Sequence, residues 1–281
     1  MTLLVDNSPA IPAEDLVPIR DLVLATSGMF FEEKKFYFIE KRVQKRMQAT
    51  NSSSAKEYFR LLKLGGGNEM NQLLEELTTN ETYFYRNIPQ LESFVEEALP
   101  LVLAEKRKKG DFRLRIWSAA CSSGEEPYTL VMMVKEAVAD FAKWQFEVVA
   151  TDLDTKILAK AQAGVYDQRS VKDVPPKVLS SYFEVQSGHY KVKADVARQV
   201  KFSQLNLMDR MGMRRMQGFD FAFCRNVLIY FDEESRKKVV GGIYDALNPG
   251  GFIFLGHSES VGKLSAAFKL VKFQKSLSYQ K

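Results

Sequence analysis

The chain is poor in the residues that build disulfide frameworks and metal sites. Its 281 residues include only two cysteines and two histidines, and Cys121 and Cys224 lie far apart in the sequence. This composition favours a reducing compartment and offers no spacing typical of a metal site. The stretch MTLLVDNSPA has no basic segment followed by an apolar one, and no apolar run approaches the roughly 18 residues of a membrane span. We therefore expect a soluble, cytoplasmic protein that holds no metal and does not insert into membranes.

Positive charge is concentrated near the front of the chain. The formal net charge is only +5, so the distribution of the basic residues matters more than their number. In FFEEKKFYFIEKRVQKRM the apolar residues recur at helical spacing beside a basic face. This basic face is either a solvated helix surface or a docking surface for an acidic partner. Its members are Lys34, Lys35, Lys41, Arg42, Lys45 and Arg46.

Turn-forming residues divide the front of the chain into four short predicted helices, and a fifth apolar helix follows around residues 91–105. From residue 113 onward strands alternate with helices, which is typical of an α/β fold with a doubly wound parallel sheet. A segment with a Ser187-Gly188 turn breaks the alternation and predicts a small antiparallel ribbon. The front helices are expected at 13–26, 32–49, 54–64 and 69–77, the later strands at 113–119, 145–151, 219–224 and 251–256, and the later helices at 126–140, 155–162 and 233–247.

The stretch IWSAACSSGEEPYTL, residues 116–130, predicts a buried strand, a loop of small residues and a helix that begins beside Glu125 and Glu126. A helix N-terminus offers unpaired N–H groups and about half a positive charge, which suits an anionic ligand such as a phosphate. Two carboxylates at this position disfavour a pyrophosphate and favour a cationic ligand. The spacing alone does not choose between Glu125 and Glu126.

Polar residues also follow the other predicted strands, whose carboxyl ends meet along one edge of the sheet. Asp152 follows the quoted loop at a spacing close to that of the acidic residue that binds ribose hydroxyls in nucleotide-binding sheets. Alternatively, Asp152 caps the next helix. Asn206 and Leu207 follow VKFSQ and offer a polar and an apolar contact suited to adenine, and a fourth strand ends before Asn226. A ribose, an adenine and a cationic tail together describe S-adenosylmethionine.

Six blocks of the sequence also carry a resemblance to a known family. They are TTNETYFYRN (78–87), WSAACSSGEEPYTL (117–130), ATDLD (150–154), LNL (205–207), FCRNVLIYFD (223–232) and LNPGGFIFLGHSES (247–260). In identity and order, over nearly the whole chain, these blocks resemble the CheR family of bacterial chemotaxis receptor methyltransferases.

The resemblance implies transfer of a methyl group from S-adenosylmethionine to glutamate side chains of transmembrane chemoreceptors, which forms methyl esters and leaves S-adenosylhomocysteine. It implies an all-helical amino-terminal domain over 1–90, a Rossmann-like doubly wound methyltransferase domain over 91–281, and a small antiparallel β-subdomain inserted at about 180–203. The enzyme is then expected in the cytoplasm, recruited to membrane receptor arrays, where its partners are the cytoplasmic helical domains of methyl-accepting receptors.

Carried over position by position, the resemblance also implies a cofactor site. Glu125 is expected to hold the methionine end, with Glu126 as its rival, and Asp152 is expected to hold the ribose. The other implied cofactor-binding residues are Asn80, Thr82, Arg86, Asn206, Leu207, Asn226 and Val227, of which the last four surround the adenosyl group.

The implied methyl transfer requires the enzyme to position the reactants and not to move a proton. A glutamate carboxylate, with a reference pKa near 4.3, is ionised at neutral pH and needs no general base. The enzyme must bring this carboxylate in line with the sulfonium methyl group. We hypothesise that Arg86 and Tyr230 position it, although Tyr230 is equally compatible with a core aromatic residue.

Two other functions fit parts of the sequence. A nucleic-acid methyltransferase fits the basic face, but the fourth strand ends in CRNV instead of an Asn-Pro-Pro-aromatic block, and no proline precedes Cys224. We therefore expect no nucleic-acid partner. A non-catalytic S-adenosylmethionine sensor is the remaining alternative.

Two features bear on how a receptor is bound. The turn QSGHY in the expected β-subdomain is shorter than in family members that tether to a pentapeptide at the receptor's carboxyl terminus, which argues against such tethering. The basic face is the candidate docking surface for acidic receptor helices, because opposite charges speed encounter and fix register.

Overall fold

The computed structural model describes residues 10–65, 67–262 and 265–281. The amino-terminal stretch considered above for a targeting signal therefore lies almost wholly outside the described residues. Within these ranges, no helix combines the length and the apolar character that crossing a membrane requires. Both cysteines are buried and neither forms a disulfide.

The chain divides into two compact units. The first contains the residues up to Thr79 together with the short return segment Tyr230–Asp232, and the second contains Asn80–Ile229 and Glu233–Lys281. This division falls earlier than the domain boundary expected at residue 90, because the segment after Asn80 forms its backbone hydrogen bonds within the second unit.

The first unit is helical, and its helices confirm the four predicted ones. Helix α2 buries Ile39 and Val43 completely, as their helical spacing predicts. In the return segment, Phe231 pairs with Met29 in an isolated antiparallel bridge. The helices are α1 (Ala13–Ser27), α2 (Phe36–Thr50), which a 3-10 turn (Glu33–Lys35) precedes, α3 (Ala55–Leu64) and α4 (Asn68–Leu77).

The second unit is built on a seven-stranded sheet with the order β6-β2-β1-β7-β8-β10-β9. Strands β6, β2, β1, β7 and β8 run parallel, and β10 pairs antiparallel with both β8 and β9. The strands are β1 (Arg113–Ala119), β2 (Gln145–Asp152), β6 (Val200–Gln204), β7 (Phe219–Cys224), β8 (Leu247–Leu255), β9 (Lys269–Lys272) and β10 (Leu277–Gln280).

Helices connect these strands, as the alternating pattern predicts. The helix expected around residues 91–105 is part of a longer helical stretch with a π-helical turn at Phe94–Ala98. The ring of Phe94 packs edge-on against Phe221, Phe223 and Phe254 of β7 and β8. The helices are α5 (Ile88–Ser93), α6 (Leu99–Lys108), α7 (Glu125–Ala137), α8 (Thr155–Ala163), α9 (Pro176–Tyr182), α10 (Ala194–Ala197), α11 (Arg210–Arg215) and α12 (Glu233–Ala246).

A second, antiparallel sheet has three strands in the order β3-β5-β4. Strands β4 (Phe183–Gln186) and β5 (His189–Val192) form the predicted ribbon around the Ser187-Gly188 turn, in which both residues have positive φ angles. The third strand, β3 (Val165–Tyr166), comes from outside the expected 180–203 segment, whereas β6 joins the large sheet as the sequence predicts.

Candidate cofactor site

The parallel strands bring the carboxyl-terminal loops of the second unit to one edge of the sheet. In the strand order, β1 lies between β2 and β7, so the direction in which the chain adds strands reverses beside β1. Doubly wound sheets bind their ligands at such a switch point. The loops at this edge carry Glu125 after β1, Asp152 at the end of β2, Asn206 after β6 and Asn226 after β7.

The loop after β1 turns sharply before α7 begins. Ala120 and Ser122 have φ angles of 60° and 49°, and Gly124 has a φ of 92°. A Cβ atom on Gly124 would lie 2.9 Å from the Cβ of Ala161, so this position requires glycine for space as well as for conformation. The turn places Glu125 at the first position of α7.

Glu125 is a buried carboxylate that is bound by hydroxyl groups. Only 1% of the residue is exposed, and its side chain accepts hydrogen bonds from Ser123 Oγ at 2.7 Å and Ser170 Oγ at 3.3 Å. Burial raises the pKa of Glu125, whereas the hydrogen bond from Ser123 and, to a smaller extent, the charge of Lys160 act in the opposite direction. In the described part of the chain, no lysine or arginine forms an ion pair with Glu125. The ionised carboxylate therefore lacks a partner of opposite charge.

Glu126, its rival, is already neutralised within the protein. It accepts hydrogen bonds from Ser118 Oγ at 2.7 Å and from Arg225 Nη1 at 3.1 Å. The Arg225 side chain is only 4% exposed, so this ion pair is shielded from water. The spacing in the sequence does not choose between Glu125 and Glu126. Of the two, Glu125 is the carboxylate with which no cationic side chain of the described residues forms an ion pair.

Asp152 accepts backbone hydrogen bonds at the end of β2. Its donors are Ser122 N at 2.8 Å and Asp154 N at 3.0 Å. Burial raises the pKa of Asp152, and these backbone donors act in the opposite direction. The alternative that Asp152 caps the next helix is wrong, because the side chain of Asp154 caps α8 by accepting from Lys156 N and Ile157 N.

The segment from Asn80 to Arg86 runs against these loops. Asn80 donates from Nδ2 to Asp154 at 2.9 Å, and its carbonyl accepts from Ser122 Oγ at 3.4 Å. At the other end of the segment, Arg225 Nη2 donates to the Arg86 carbonyl at 2.5 Å. Thr82 and Arg86 are half-buried between these anchors.

Further residues complete this edge of the sheet. The end of β6 is held to β2 by a bond from Leu205 N to the Asp152 carbonyl at 2.9 Å, and Asn206 and Leu207 follow. After β7, Asn226 has a φ of 59°. Leu207 is buried, whereas Asn206, Asn226 and Val227 are half-buried.

One site residue inferred from the sequence is assigned to the other unit. Tyr230 belongs to the first unit, where its carbonyl accepts a hydrogen bond from Phe30 N at 2.7 Å. The other members of the set all belong to the second unit: Asn80, Thr82, Arg86, Glu125, Asp152, Asn206, Leu207, Asn226 and Val227.

Sequence reasoning missed several side chains that hold this site in place. Ser123 and Ser170 bind Glu125, Arg225 neutralises Glu126, and Glu259 accepts from Asn226 N at 2.8 Å. No local pattern signals the long-range partners Ser170, Arg225 and Glu259, whereas Ser123 lies only two residues before Glu125. Asp154 was also missed, but a local signal could have found it, because an aspartate directly before an amphipathic helix is a recognisable N-cap.

The donor set fits a cationic nucleoside such as S-adenosylmethionine. A positive ligand would supply the charge that the buried Glu125 carboxylate lacks, and would lower its raised pKa. A pyrophosphate would face two carboxylates, Glu125 and Asp152, and neither forms an ion pair with a lysine or arginine of the described residues. Acidic strand ends at the switch point of a doubly wound sheet are thus the arrangement expected of an S-adenosylmethionine-dependent methyltransferase.

Comparison with known families agrees with this class. The family model described as CheR methyltransferase, SAM binding domain, matches residues 80–277, and the model described as CheR methyltransferase, all-alpha domain, matches residues 14–78. The chain belongs to the CheR methyltransferase family, and its cofactor is S-adenosylmethionine.

The chain is similar to chemotaxis methyltransferases along almost its whole length. It is 41% identical over 277 residues to chemotaxis protein methyltransferase 2 of Vibrio cholerae, which covers 98% of this chain and 95% of that protein. It is 34% identical to chemotaxis protein methyltransferase 1 of Pseudomonas aeruginosa, with 91% and 93% covered. Identity to the Escherichia coli chemotaxis protein methyltransferase is 31%, with 90% and 86% covered.

Proposed function

We propose that this enzyme methylates glutamate side chains of bacterial chemoreceptors, which forms methyl esters and adjusts chemotactic adaptation. The observation that carries the site assignment is Glu125, a buried carboxylate at a helix start with which no lysine or arginine of the described residues forms an ion pair. The family membership supports the reaction class, and the similarity to chemotaxis methyltransferases supports chemoreceptors as substrates. Bound S-adenosylmethionine supplies the electrophilic methyl group.

Each end of the cofactor has its own residues in this proposal. Glu125 binds the cationic methionine end, held in orientation by Ser123 and Ser170. Asp152 binds the ribose hydroxyls, since two backbone N–H groups fix its carboxylate at the strand end. The remaining cofactor-binding residues in the proposal are Asn80, Thr82, Arg86, Asn206, Leu207, Asn226 and Val227.

Arg86 and Tyr230 are proposed to position the incoming glutamate carboxylate, which is ionised at neutral pH and acts as the nucleophile. Arg86 suits this role because its carbonyl is anchored by Arg225, which fixes the start of its side chain. The guanidinium donates to the Glu81 carbonyl at 2.8 Å and retains further N–H groups for an anion.

The basic face, which α2 and the preceding 3-10 turn carry, is proposed to dock the acidic, glutamate-bearing receptor helices in the cytoplasm. Some residues of this basic face form ion pairs within the first unit and others are exposed. Arg46 is held by Glu69 and Lys45 by Glu76, whereas Lys35 and Lys41 are exposed. We therefore place the docking charge mainly on Lys35 and Lys41, and propose binding without a pentapeptide tether, given the short Ser187-Gly188 turn.

The test is incubation with S-adenosylmethionine labelled in its methyl group and membranes that contain chemoreceptors. Glutamate methyl esters release the label as methanol when base is added, and we expect this release from the receptor band. Base-stable label would contradict the proposal, because it indicates methylation at nitrogen or carbon. Label on added nucleic acid would support the rival methyltransferase, and cofactor binding without any transfer would support the sensor.

A further inference from the structure

The GHSES stretch after β8 contains a carboxylate that the proposed reaction does not use. Glu259 accepts hydrogen bonds from three backbone N–H groups. Its Oε2 accepts from Gly256 at 2.6 Å and from Asn226 at 2.8 Å, and its Oε1 accepts from Ile229 at 3.3 Å. One side chain thereby joins the loops that follow β7 and β8.

The space around this carboxylate is closely filled. A Cβ atom on Gly256 would lie 2.5 Å from Glu259 Oε2 and 2.8 Å from Asn226 N, so the contact requires glycine. Glu259 N also donates to the Gly256 carbonyl at 2.9 Å, which closes the turn that carries the carboxylate. The turn from Gly256 to Glu259 therefore helps to fix the position of the carboxylate, although glutamate has a long and flexible side chain.

Glu259 holds the backbone on both sides of Asn226. The φ of Asn226, 59°, lies in the left-handed region, which few residues with a side chain adopt and in which asparagine is enriched. The bond from Asn226 N to Glu259 fixes the peptide that precedes this unusual conformation. The bond from Ile229 N fixes the chain on the other side of Asn226 and Val227.

We propose that Glu259 is a positioning residue for the adenosyl end of the cofactor, acting through Asn226. The inference rests on the proposed role of Asn226 in the cofactor site. The two ends of the cofactor are then controlled by separate carboxylates. Glu125 acts on the cationic end by its charge, and Glu259 acts on the adenosyl end by holding the backbone.

Calorimetric titrations with two ligands test this inference. S-adenosylhomocysteine has both ends, whereas 5′-methylthioadenosine lacks the amino-acid end. In Glu259→Gln the amide NH2 group replaces one acceptor oxygen and opposes a backbone N–H, so we expect both ligands to bind about tenfold more weakly. Glu125→Gln should weaken S-adenosylhomocysteine binding and leave 5′-methylthioadenosine binding unchanged. Ser258→Ala, an exposed neighbour in the same loop, is the matched control.

A double variant separates positioning from a merely structural role. If Glu259 acts through Asn226, then Glu259→Gln combined with Asn226→Ala should bind no more weakly than the worse single variant. Additive losses would overturn the inference. Gly256→Ala, which displaces the same carboxylate, should reproduce the loss for both ligands even if Glu259→Gln folds poorly.

The outcomes also separate this inference from the proposals on which it rests. Weaker binding in Asn226→Ala but not in Glu259→Gln or Gly256→Ala would overturn the positioning role alone. Unchanged binding in Asn226→Ala would overturn both the adenosyl contact and the positioning role. A failure of receptor methylation with normal ligand titrations would count against the proposed acceptor and not against Glu259.

Discussion

Charged side chains on α2 of the helical unit form ion pairs, whereas two buried carboxylates at the strand ends of the second unit accept hydrogen bonds from uncharged donors. On α2 of the helical unit, Arg46 forms two hydrogen bonds with Glu69, at 2.9 Å and 2.6 Å, and Lys45 contacts Glu76 at 2.7 Å. At the strand ends, Glu125 and Asp152 are buried, and among the described residues their hydrogen-bond donors are hydroxyl groups for Glu125 and backbone N–H groups for Asp152.

This difference separates charges that pair within the fold from charges that are available to a ligand. A buried carboxylate is costly without a partner of opposite charge, so a fold that retains one at a sheet's ligand-binding edge is prepared for a cation. Glu126 is an internal control, since it is adjacent in sequence to Glu125 but is neutralised by Arg225. Burial or acidity alone therefore does not identify the ligand-binding group.

The sharpest test of this comparison replaces each neighbouring glutamate in turn. Glu125→Gln should weaken S-adenosylmethionine binding about hundredfold, because a charge-assisted contact with a cation is lost in a buried site. The stability of the ligand-free protein should stay the same or rise, since the pKa of Glu125 is raised by burial and its ionised form therefore destabilises the fold at neutral pH. Calorimetry and thermal melting measure the two effects.

The matched control is Glu126→Gln. It should lower the free energy of unfolding by about 2 kcal/mol, because Arg225 loses its counter-charge. Its effect on cofactor affinity should be much smaller than that of Glu125→Gln. Equal losses of affinity in the two variants would break the distinction between the neutralised and the unneutralised carboxylate.

Acidification should give the next largest effect. Burial raises the pKa values of Glu125 and Asp152. The cationic end of the ligand favours ionised Glu125, and hydrogen bonds donated by the ribose hydroxyls favour ionised Asp152. Affinity for S-adenosylmethionine should therefore fall as the pH drops through these raised values, by up to about tenfold per pH unit for one group. Titrations from about pH 8 to about pH 5 measure this slope. A flat profile in the unmodified enzyme, or an unchanged slope in Glu125→Gln, would contradict the role of Glu125.

The smallest effects are expected for the basic face on α2 and the preceding 3-10 turn. Reversing the exposed charges in Lys35→Glu combined with Lys41→Glu should slow receptor methylation a few-fold, more at low salt than at high salt, and leave cofactor affinity unchanged. Arg46→Gln should instead lower the free energy of unfolding by about 1 kcal/mol, because the Glu69 pair is lost. If Arg46→Gln impaired methylation selectively at normal stability, the division of the basic face would be wrong.

Much of the fold was predictable because hydrophobic periodicity and turn residues are local signals. The four front helices, strands β1, β2 and β7, and the ribbon of β4 and β5 lie close to their expected positions. Strands β9 and β10 were not predicted, because both are short and carry exposed apolar residues, Leu270 and Leu277, instead of a buried alternating face. The pairing of β3 with β5 depends on chain segments too distant for a local pattern.

For the site, the sequence indicated the groups but not their partners. The acidic loop after β1 predicted a cationic ligand, yet Glu125 and Glu126 remained equal until Arg225 was placed beside Glu126. That contact joins residues from two strand ends, so tertiary structure alone reveals it. The same holds for Glu259, which lies in a motif that the resemblance included without a role.

The return segment Tyr230–Asp232 has a practical consequence for dissecting the molecule. The two family models meet between residues 78 and 80, which suggests this boundary for expressing the two parts as separate fragments. A fragment ending at Thr79 would lose Phe231, the partner of Met29, and the complementary fragment would carry three residues whose contacts are in the other piece. Swapping helical units between relatives should therefore exchange this tripeptide as well, since the polypeptide links the units three times instead of once.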